Sequence, residues 1–363
     1  MTRAAILTAL FTSLLLALGL MGGFAARMLG APMPFMLGAL AVSATLAGVF
    51  GRHYPPAYRF PQPIRLTFIA VIGVTIGAQV SSELLSHMQG FLVSLVAVSL
   101  FVVIAQLSNA FLFRRLGGLD DATAWFSASP GGLVEAVTMG EAAGGDLRMM
   151  TLLQFLRIIL VVSVLPIALS IWNGAPVGSA AGLSLSGGAG GTVPLVFLLA
   201  AIGHVLGRVL HLPAGQLTGP LIAAAVVSVT GLAPVAVPGW LVAAAQVVLG
   251  VHLGVNFHGT RPAHLLRAIG LSVVSVSFML ALGFVLAVIV HAITGLDLIV
   301  LIISYAPGGV TEMGLVAISL AANPALVTLH HLFRITLTVV FLSLAGRRHF
   351  QPPEKRDNQG EKV

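Results

Sequence analysis

Long apolar runs separated by short polar or Gly/Pro-rich joints dominate the chain. Apolar segments occupy roughly 4–28, 33–50, 64–80, 90–113 and 147–171, with a Gly/Pro-broken stretch over 120–143. The series returns at roughly 192–210, 216–231, 241–256, 265–291 and 325–345, with a second broken stretch over 297–321. Several runs approach the ~20 apolar residues that a helix needs to cross a bilayer, and the shorter ones suit helices packed inside a bundle. The pattern predicts an all-α membrane protein with about five crossings in each half.

The recurrence is a duplication. Ser129-Pro130-Gly131-Gly132-Leu133-Val134-Glu135 returns as Ala306-Pro307-Gly308-Gly309-Val310-Thr311-Glu312, and subtracting 130 from 307 gives an offset of 177. The same offset pairs Asp120 with Asp297, Asp146 with Asn323, Thr151 with Thr328, and Arg157 with Arg334. Upstream it pairs Gly73, Gly77 and Gln79 with Gly250, Gly254 and Asn256. Nearer the N-terminus the offset is 181, pairing Gly22, Arg27, Pro32 and Gly38 with Gly203, Arg208, Pro213 and Gly219. One four-residue length difference joins the two registers. The domains expected are a first membrane repeat at 1–172, a flexible small-residue linker at 173–191 and a second repeat at 192–345. A hydrophilic tail at 346–363 is expected to be disordered.

Composition narrows the class. Of 363 residues, 58% are hydrophobic and only 8% charged, whereas a soluble domain carries about a quarter charged. A soluble enzyme or DNA-binding domain as the body of the protein is excluded, and the partner for most of the surface is the lipid bilayer. The absence of Cys excludes disulfides, thiolate metal sites and iron–sulfur clusters. The net charge of +7 comes from basic residues set singly or in pairs between apolar runs, as in cytoplasmic loops. Nothing in it points to direct nucleic-acid binding.

The arginines orient the chain. If each broken stretch re-enters from one side, each half crosses five times and the second half is inverted. With the N-terminus inside, the inner side then collects Arg3, Arg52, Arg59, Arg65, Arg114, Arg115, Arg148, Arg208, Arg261, Arg267, Arg347 and Arg348. Only Arg27 falls outside. Six crossings per half would put Arg148, Arg208, Arg261 and Arg267 outside, so two inverted repeats with both termini cytoplasmic are predicted. Arg3 before an apolar run and Phe24-Ala25-Ala26 resemble a leader with its cleavage site. The repeat around Arg27 and Pro32 favours retention of that segment.

Candidate chemistry gathers at the breaks. Pro130-Gly131-Gly132 and Pro307-Gly308-Gly309 each predict two half-helices with a non-helical joint. Matched interruptions in two halves point to a transporter's midplane site, where free N–H groups at Gly131 and Gly308 face a ligand. Glu135 and Glu312 fall in the first turn of the following half-helices. There they either cap their own helices or serve as protonatable, cation-coupling carboxylates. Arg157 and Arg334, expected about one turn inside the last span of each half, form ion pairs with those carboxylates, snorkel, or balance an anionic substrate. Gln79 and Asn256 either face the site or bond between helices. His330-His331 diverge by about 100° on a helix, and His252 with His258 has no matching ligand set. No metal, cofactor or catalytic residue is expected, and the chain reads as no enzyme.

With its paired Pro-Gly-Gly motifs and Leu329-His330-His331-Leu332-Phe333-Arg334 downstream, the chain resembles the AbrB family of bacterial membrane proteins over about residues 10 to 345. Labels in that family vary: ammonia monooxygenase, regulator of gene expression, transporter-like protein. The resemblance implies the fold and an inner-membrane location. The residues favour an ion-coupled secondary transporter of a small solute, driven by protons or sodium through alternating access; a homo-oligomer is compatible with it. The alternative is a membrane protein that regulates gene expression indirectly. A copper-dependent oxygenase is disfavoured because no His/carboxylate cluster has ligand spacing.

Overall fold

The computed structural model describes residues 3–55, 58–80, 90–174, 193–256, 262–320 and 322–349. Among these residues there are fourteen α-helices and no strand. The first half holds α1 (Arg3–Met28), α2 (Pro34–Val49), α3 (Gln62–Gly77), α4 (Phe91–Arg115), α5 (Asp121–Ser127), α6 (Leu133–Ala142) and α7 (Leu147–Asn173). The second holds α8 (Val193–Val209), α9 (Gly215–Thr230), α10 (Gly239–Val255), α11 (Pro262–Thr294), α12 (Leu298–Tyr305), α13 (Val310–Ser319) and α14 (Pro324–His349). Each predicted apolar segment is one helix, and each broken stretch is two short ones. Helix n of the first half therefore corresponds to helix n + 7 of the second. The predicted linker lies outside the described residues beyond residue 174. Helix α14 continues to His349, so the first four residues of the expected tail are helical; the rest lies outside.

Several matched polar pairs turn out to start helices. Asp120 and Asp297 accept hydrogen bonds from Thr123 N (2.9 Å) and Val300 N (2.8 Å), capping α5 and α12. Asp146 accepts from Arg148 N and Met149 N at the start of α7, and Asn323 from Leu326 N at the start of α14. Such caps satisfy N–H groups that no helix can satisfy internally. Unusual backbone is matched too. Gly30 and His211 both have positive φ (67° and 49°), as do Met33 and Ala214 (43° and 47°), at the register of 181.

The matched glycines mark helix crossings. A Cβ on Gly38 would lie 2.2 Å from Gly22 O, and one on Gly219 would lie 1.9 Å from Gly203 O. The α1–α2 and α8–α9 pairs thus cross through equivalent bare backbones. A Cβ on Gly73 would meet Leu217 O at 2.4 Å, and one on Gly250 would meet Met36 O at 2.5 Å. Met36 and Leu217 are themselves 181 apart, so α3–α9 and α10–α2 repeat one contact. Small residues that let backbones approach are the usual device of helix packing in lipid.

These crossings divide the helices into two bundles. One combines α1–α3 with α8–α10, and the other combines α4–α7 with α11–α14, so each half of the chain contributes to both. Exchanging every helix for its counterpart leaves the main packing within each bundle unchanged. The bundles meet where α3 packs on α13 and α14. An apolar cluster runs through that junction, including Ile72 and Ile76 of α3, Leu249 of α10, Val161 of α7 and Met313 of α13. The equivalent junction, α6 on α10, makes no comparable packing among the described residues.

Five helices are long and apolar enough to cross a membrane: those spanning Ile6–Met28, Phe91–Arg115, Leu147–Trp172, Leu265–Thr294 and Pro324–Leu344. Helices α2, α3, α8, α9 and α10 have 16 or 17 residues, roughly 25 Å at 1.5 Å per residue. Large apolar side chains such as Leu92, Phe111, Val285 and Ile289 lie exposed along the longer helices. In water that surface would be a liability; in lipid it is the solvated face.

The crossings are testable with one pair of substitutions. Gly219→Leu forces a side chain into Gly203 and should lower stability by at least roughly 1–3 kcal/mol. Gly270→Ala, with nothing within 4 Å of the added methyl, should leave the melting temperature unchanged or raise it. Thermal unfolding in detergent distinguishes them, and equal effects would contradict the close-packed crossing.

Candidate functional site

Both breaks are built where proline forbids the helix to continue. Helix α5 ends at Ser127 and α12 at Tyr305, two and one residues before Ser129 and Ala306, the residues preceding the prolines. A residue before proline is pushed away from helical angles, and Ala306 is extended (ψ 134°). The joints differ at the last glycine. Gly132 is left-handed (φ 62°), a conformation that favours glycine, whereas Gly309 is extended (φ −76°, ψ 147°). Pro130, Gly131, Gly132, Pro307 and Gly308 are buried, and Gly309 is partly exposed. Interrupted backbone at membrane depth must be buried in protein or line a wet cavity, and these joints satisfy the first condition.

The carbonyls freed at each joint go to side chains of the following long helix. Arg157 Nη1 donates to Ser129 O, and Arg334 Nη1 donates to Ala306 O. Arg334 Nη2 also donates to Gly308 O at 2.7 Å. Gln154 Nε2 donates to Phe126 O (3.1 Å), and His331 Nε2 donates to Ile303 O (3.1 Å). Apart from the bond to Gly308 O, these acceptors and donors are 177 apart across the halves. The duplication therefore preserved two carbonyl contacts at each joint, one made by arginine and one by glutamine or histidine. A cation at the carbonyl end of a helix also complements its dipole.

The arginines sit deeper than the sequence suggests. Each lies eleven residues after its capping residue, Asp146 or Asn323, which is about three turns rather than one. That places them roughly 15 Å along helices built to cross a ~30 Å hydrocarbon layer, level with the joints. Both are at least 94% buried, at 6% and 1% relative exposure. Neither forms an ion pair: the salt bridge found among the described residues is Arg114 Nε–Asp121 Oδ1 at 3.0 Å, outside this region. The two like-charged guanidinium groups repel each other. Arg157 Nε, Arg334 Nε, Ser127 Oγ, Ser304 Oγ and Thr338 Oγ1 are buried without hydrogen-bond partners.

Glu135 and Glu312 fold back on their own helix starts. Glu312 Oε2 lies 2.0 Å from where a Cβ on Gly309 would stand, and Glu135 Oε2 lies 3.4 Å from the same position on Gly132. Each is third after its cap, the place from which a glutamate reaches back to the cap. Their surroundings differ. Glu135 is exposed, whereas Glu312 is partly buried on α13, the helix packed against α3 of the other bundle. There it interacts electrostatically with Arg65, which also acts on His252.

Gln79 and Asn256 are not drawn to the joints. Gln79 Nε2 donates to Thr75 O (3.4 Å) and Asn256 Nδ2 to His252 O (2.8 Å), each four residues back at its own helix end. His330 and His331 serve different partners. His330 Nδ1 donates to Leu326 O, and its Nε2 meets Ser94 Oγ at 2.7 Å, which in turn meets Tyr305 OH at 2.7 Å. This network ties α4, α12 and α14 together. His258 lies outside the described residues.

Four contributors escape identity matching. Gln154 and His331 occupy one register position with different side chains, so only the offset itself, applied to polar residues, could have found them. Arg65 and Thr338 correspond to Val242 and Val161, and no repeat signal reaches them.

A family model described as "AbrB: Transition state regulatory protein AbrB" matches residues 49–349. The chain is 26% identical over 368 residues to "Uncharacterized protein YhjN" of Bacillus subtilis (strain 168), covering 95% of this chain and 94% of that protein. It is 24% identical over 311 residues to "Putative regulator AbrB" of Escherichia coli (strain K12), covering 83% of this chain and 87% of that protein.

The carbonyl contacts rank four substitutions. Each buried carbonyl left without a donor costs about 1–3 kcal/mol. Arg334→Met, which frees two, should therefore destabilise more than Arg157→Met, which frees one. Glu312→Gln and Glu135→Gln should cost no more than the ~1 kcal/mol of a helix-end charge. Chemical or thermal unfolding in detergent reads the order; a loss on Glu312→Gln as large as on Arg334→Met would restore the ion-pair alternative.

Proposed function

The chain belongs to the AbrB family, and from that premise we propose that it is an ion-coupled secondary transporter of a small solute. The observation that carries this reading is the asymmetric junction between the bundles. Two halves of one duplication make equivalent packing within each bundle, yet α3 packs on α13 while α10 and α6 make no comparable packing among the described residues. In transporters built from inverted repeats, such a difference separates inward- and outward-facing states, and exchanging the roles of the repeats exchanges the states. The alternate state of this protein then closes α6 on α10 and opens α13 from α3.

Glu312 and Glu135 are the coupling groups in this mechanism. Both start half-helices of the bundle that moves relative to α3 and α10, and both are scarce acids in an apolar setting. In the described state Glu312 is partly buried on the helix packed against α3 while Glu135 is exposed. Movement exchanges these environments, so binding of a proton or sodium ion at one carboxylate favours one state. Arg157 and Arg334 keep the joints rigid while the bundles shift, and the joint backbone at Gly131 lies beside the solute. The distribution of arginines supports an inner-membrane placement with both termini cytoplasmic.

A regulatory reading has its own support in the wording of the family description and of the Escherichia coli relative's name. In that reading, the state of the membrane protein alters gene expression indirectly.

The chain lacks Cys, which makes the transport reading directly testable by cross-linking. In the described state a Cβ on Gly314 would sit 2.7 Å from Ile76 Cδ1, so Ile76→Cys with Gly314→Cys should oxidise to a disulfide. The register of 177 converts this pair into Leu253→Cys with Val137→Cys, which should cross-link in the alternate state. In membranes, both pairs are expected to react. Cross-linking of the first pair alone, under every ion gradient applied, would overturn alternating access.

A further inference from the structure

The two joints have diverged in a way that leaves unpartnered polar atoms beside one of them and a side chain filling the other. Around Gly131, a built Cβ would lie 3.5 Å from Thr338 Oγ1 and 3.7 Å from Arg334 Nε, both from the opposite half of the chain. Both atoms are buried and have no hydrogen-bond partner, with Thr338 at 0% and Arg334 at 1% exposure. They lie one turn apart on α14 and so share a face. Around Gly308, the equivalent space is taken: a Cβ there would meet the Met313 side chain at 2.8 Å. The counterparts explain the contrast. Met313 corresponds to Ala136, and Thr338 corresponds to Val161, so Met313 fills the space at one joint while the other keeps a hydroxyl, a guanidinium edge and room for a methyl group.

Unpartnered donors this deep carry a desolvation cost that a protein ordinarily removes. Arg334 spends both Nη groups on Ala306 O and Gly308 O, which leaves Nε–H directed at no protein acceptor. No carboxylate among the described residues is within ion-pair distance of it. Glu135, the acid nearest to this joint, is turned onto Gly132 and is exposed.

We propose that the space beside Gly131 binds a small oxyanion, which accepts hydrogen bonds from Arg334 Nε–H and Thr338 Oγ–H and balances the charge of the arginine pair. Ala136 is the specificity-determining residue because its short side chain keeps the space open. Arg157, whose Nη1 donates to Ser129 O, is a structural staple. The proposal rests on the transporter reading for its biological meaning, since it names the solute class, but binding itself can be measured without transport.

Thermal unfolding of the purified full-length protein in detergent tests it. Sodium acetate, sulfate and phosphate are compared with acetamide, each against sodium chloride at equal ionic strength. A ligand that binds only the folded state raises the melting temperature with concentration. General salt effects cancel when the wild type is compared with Thr338→Val and Ala136→Met. Thr338→Val removes a hydroxyl that has no partner, so the unliganded protein should be as stable as wild type or more so. The expected result is a shift with at least one oxyanion, none with acetamide, a binding constant weakened about tenfold or more in Thr338→Val, and no shift in Ala136→Met. A response to acetate alone identifies a carboxylate solute; a response to phosphate or sulfate identifies an inorganic oxyanion. Equal shifts in wild type and Thr338→Val, a shift with acetamide, or no shift with any oxyanion overturns the proposal. Oxyanion binding without cross-linking of Val137→Cys to Leu253→Cys would leave the site standing and remove the transport reading.

Discussion

Everything in this fold is arranged around backbone that cannot hydrogen-bond to itself. Two helices are cut at Pro130 and Pro307, and at membrane depth no water is available for the carbonyls set free. The chain answers from its next long helix. Arg157 and Arg334 hold the carbonyls preceding the prolines, and Gln154 and His331 hold carbonyls in the last turn before them. Gln106 adds a further bond, Nε2 to Trp125 O at 2.7 Å. The scarcity of charge in the sequence acquires a specific meaning here. Deeply buried arginines persist because each serves as a donor array for interrupted backbone, with no acid to match it.

That solution is made twice, and the two copies have stayed alike where packing demands it. Bare glycines recur at crossings because any side chain would collide with a carbonyl of the neighbouring helix. Caps recur because every helix start leaves N–H groups to satisfy. Divergence at the joints and at the junction between bundles includes Gly132 against Gly309 in backbone, Ala136 against Met313, Val161 against Thr338, and Val242 against Arg65. A duplicated fold tolerates change there because those positions carry the differences between the two sites.

The sequence made the helices and the duplication legible for a simple reason. Apolar runs long enough to cross lipid are hard to disguise, and identical residues at a constant spacing are easy to see. What the identical residues do was less legible. Asp120, Asp146, Asp297 and Asn323 read as repeat markers and prove to be helix caps. Arg157 and Arg334 invited pairing with Glu135 and Glu312, since opposite charges are the usual partners of buried ones. Their real acceptors are carbonyls, which every residue carries and no sequence pattern displays. Gln79 and Asn256 matched in sequence but bond to their own helices. Thr338 had no polar counterpart, so its place beside Gly131 emerges only from the packing of separate elements.

The most direct test of this account is whether the buried guanidinium groups touch backbone or acid. Solid-state NMR of the protein in bilayers can measure dipolar couplings between ¹⁵N in the arginine side chains and ¹³C in assigned carbonyl and carboxyl carbons. The account predicts couplings from Arg157 to the Ser129 carbonyl and from Arg334 to the carbonyls of Ala306 and Gly308. Strong couplings to the carboxyl carbons of Glu135 or Glu312, with none to those carbonyls, would contradict it.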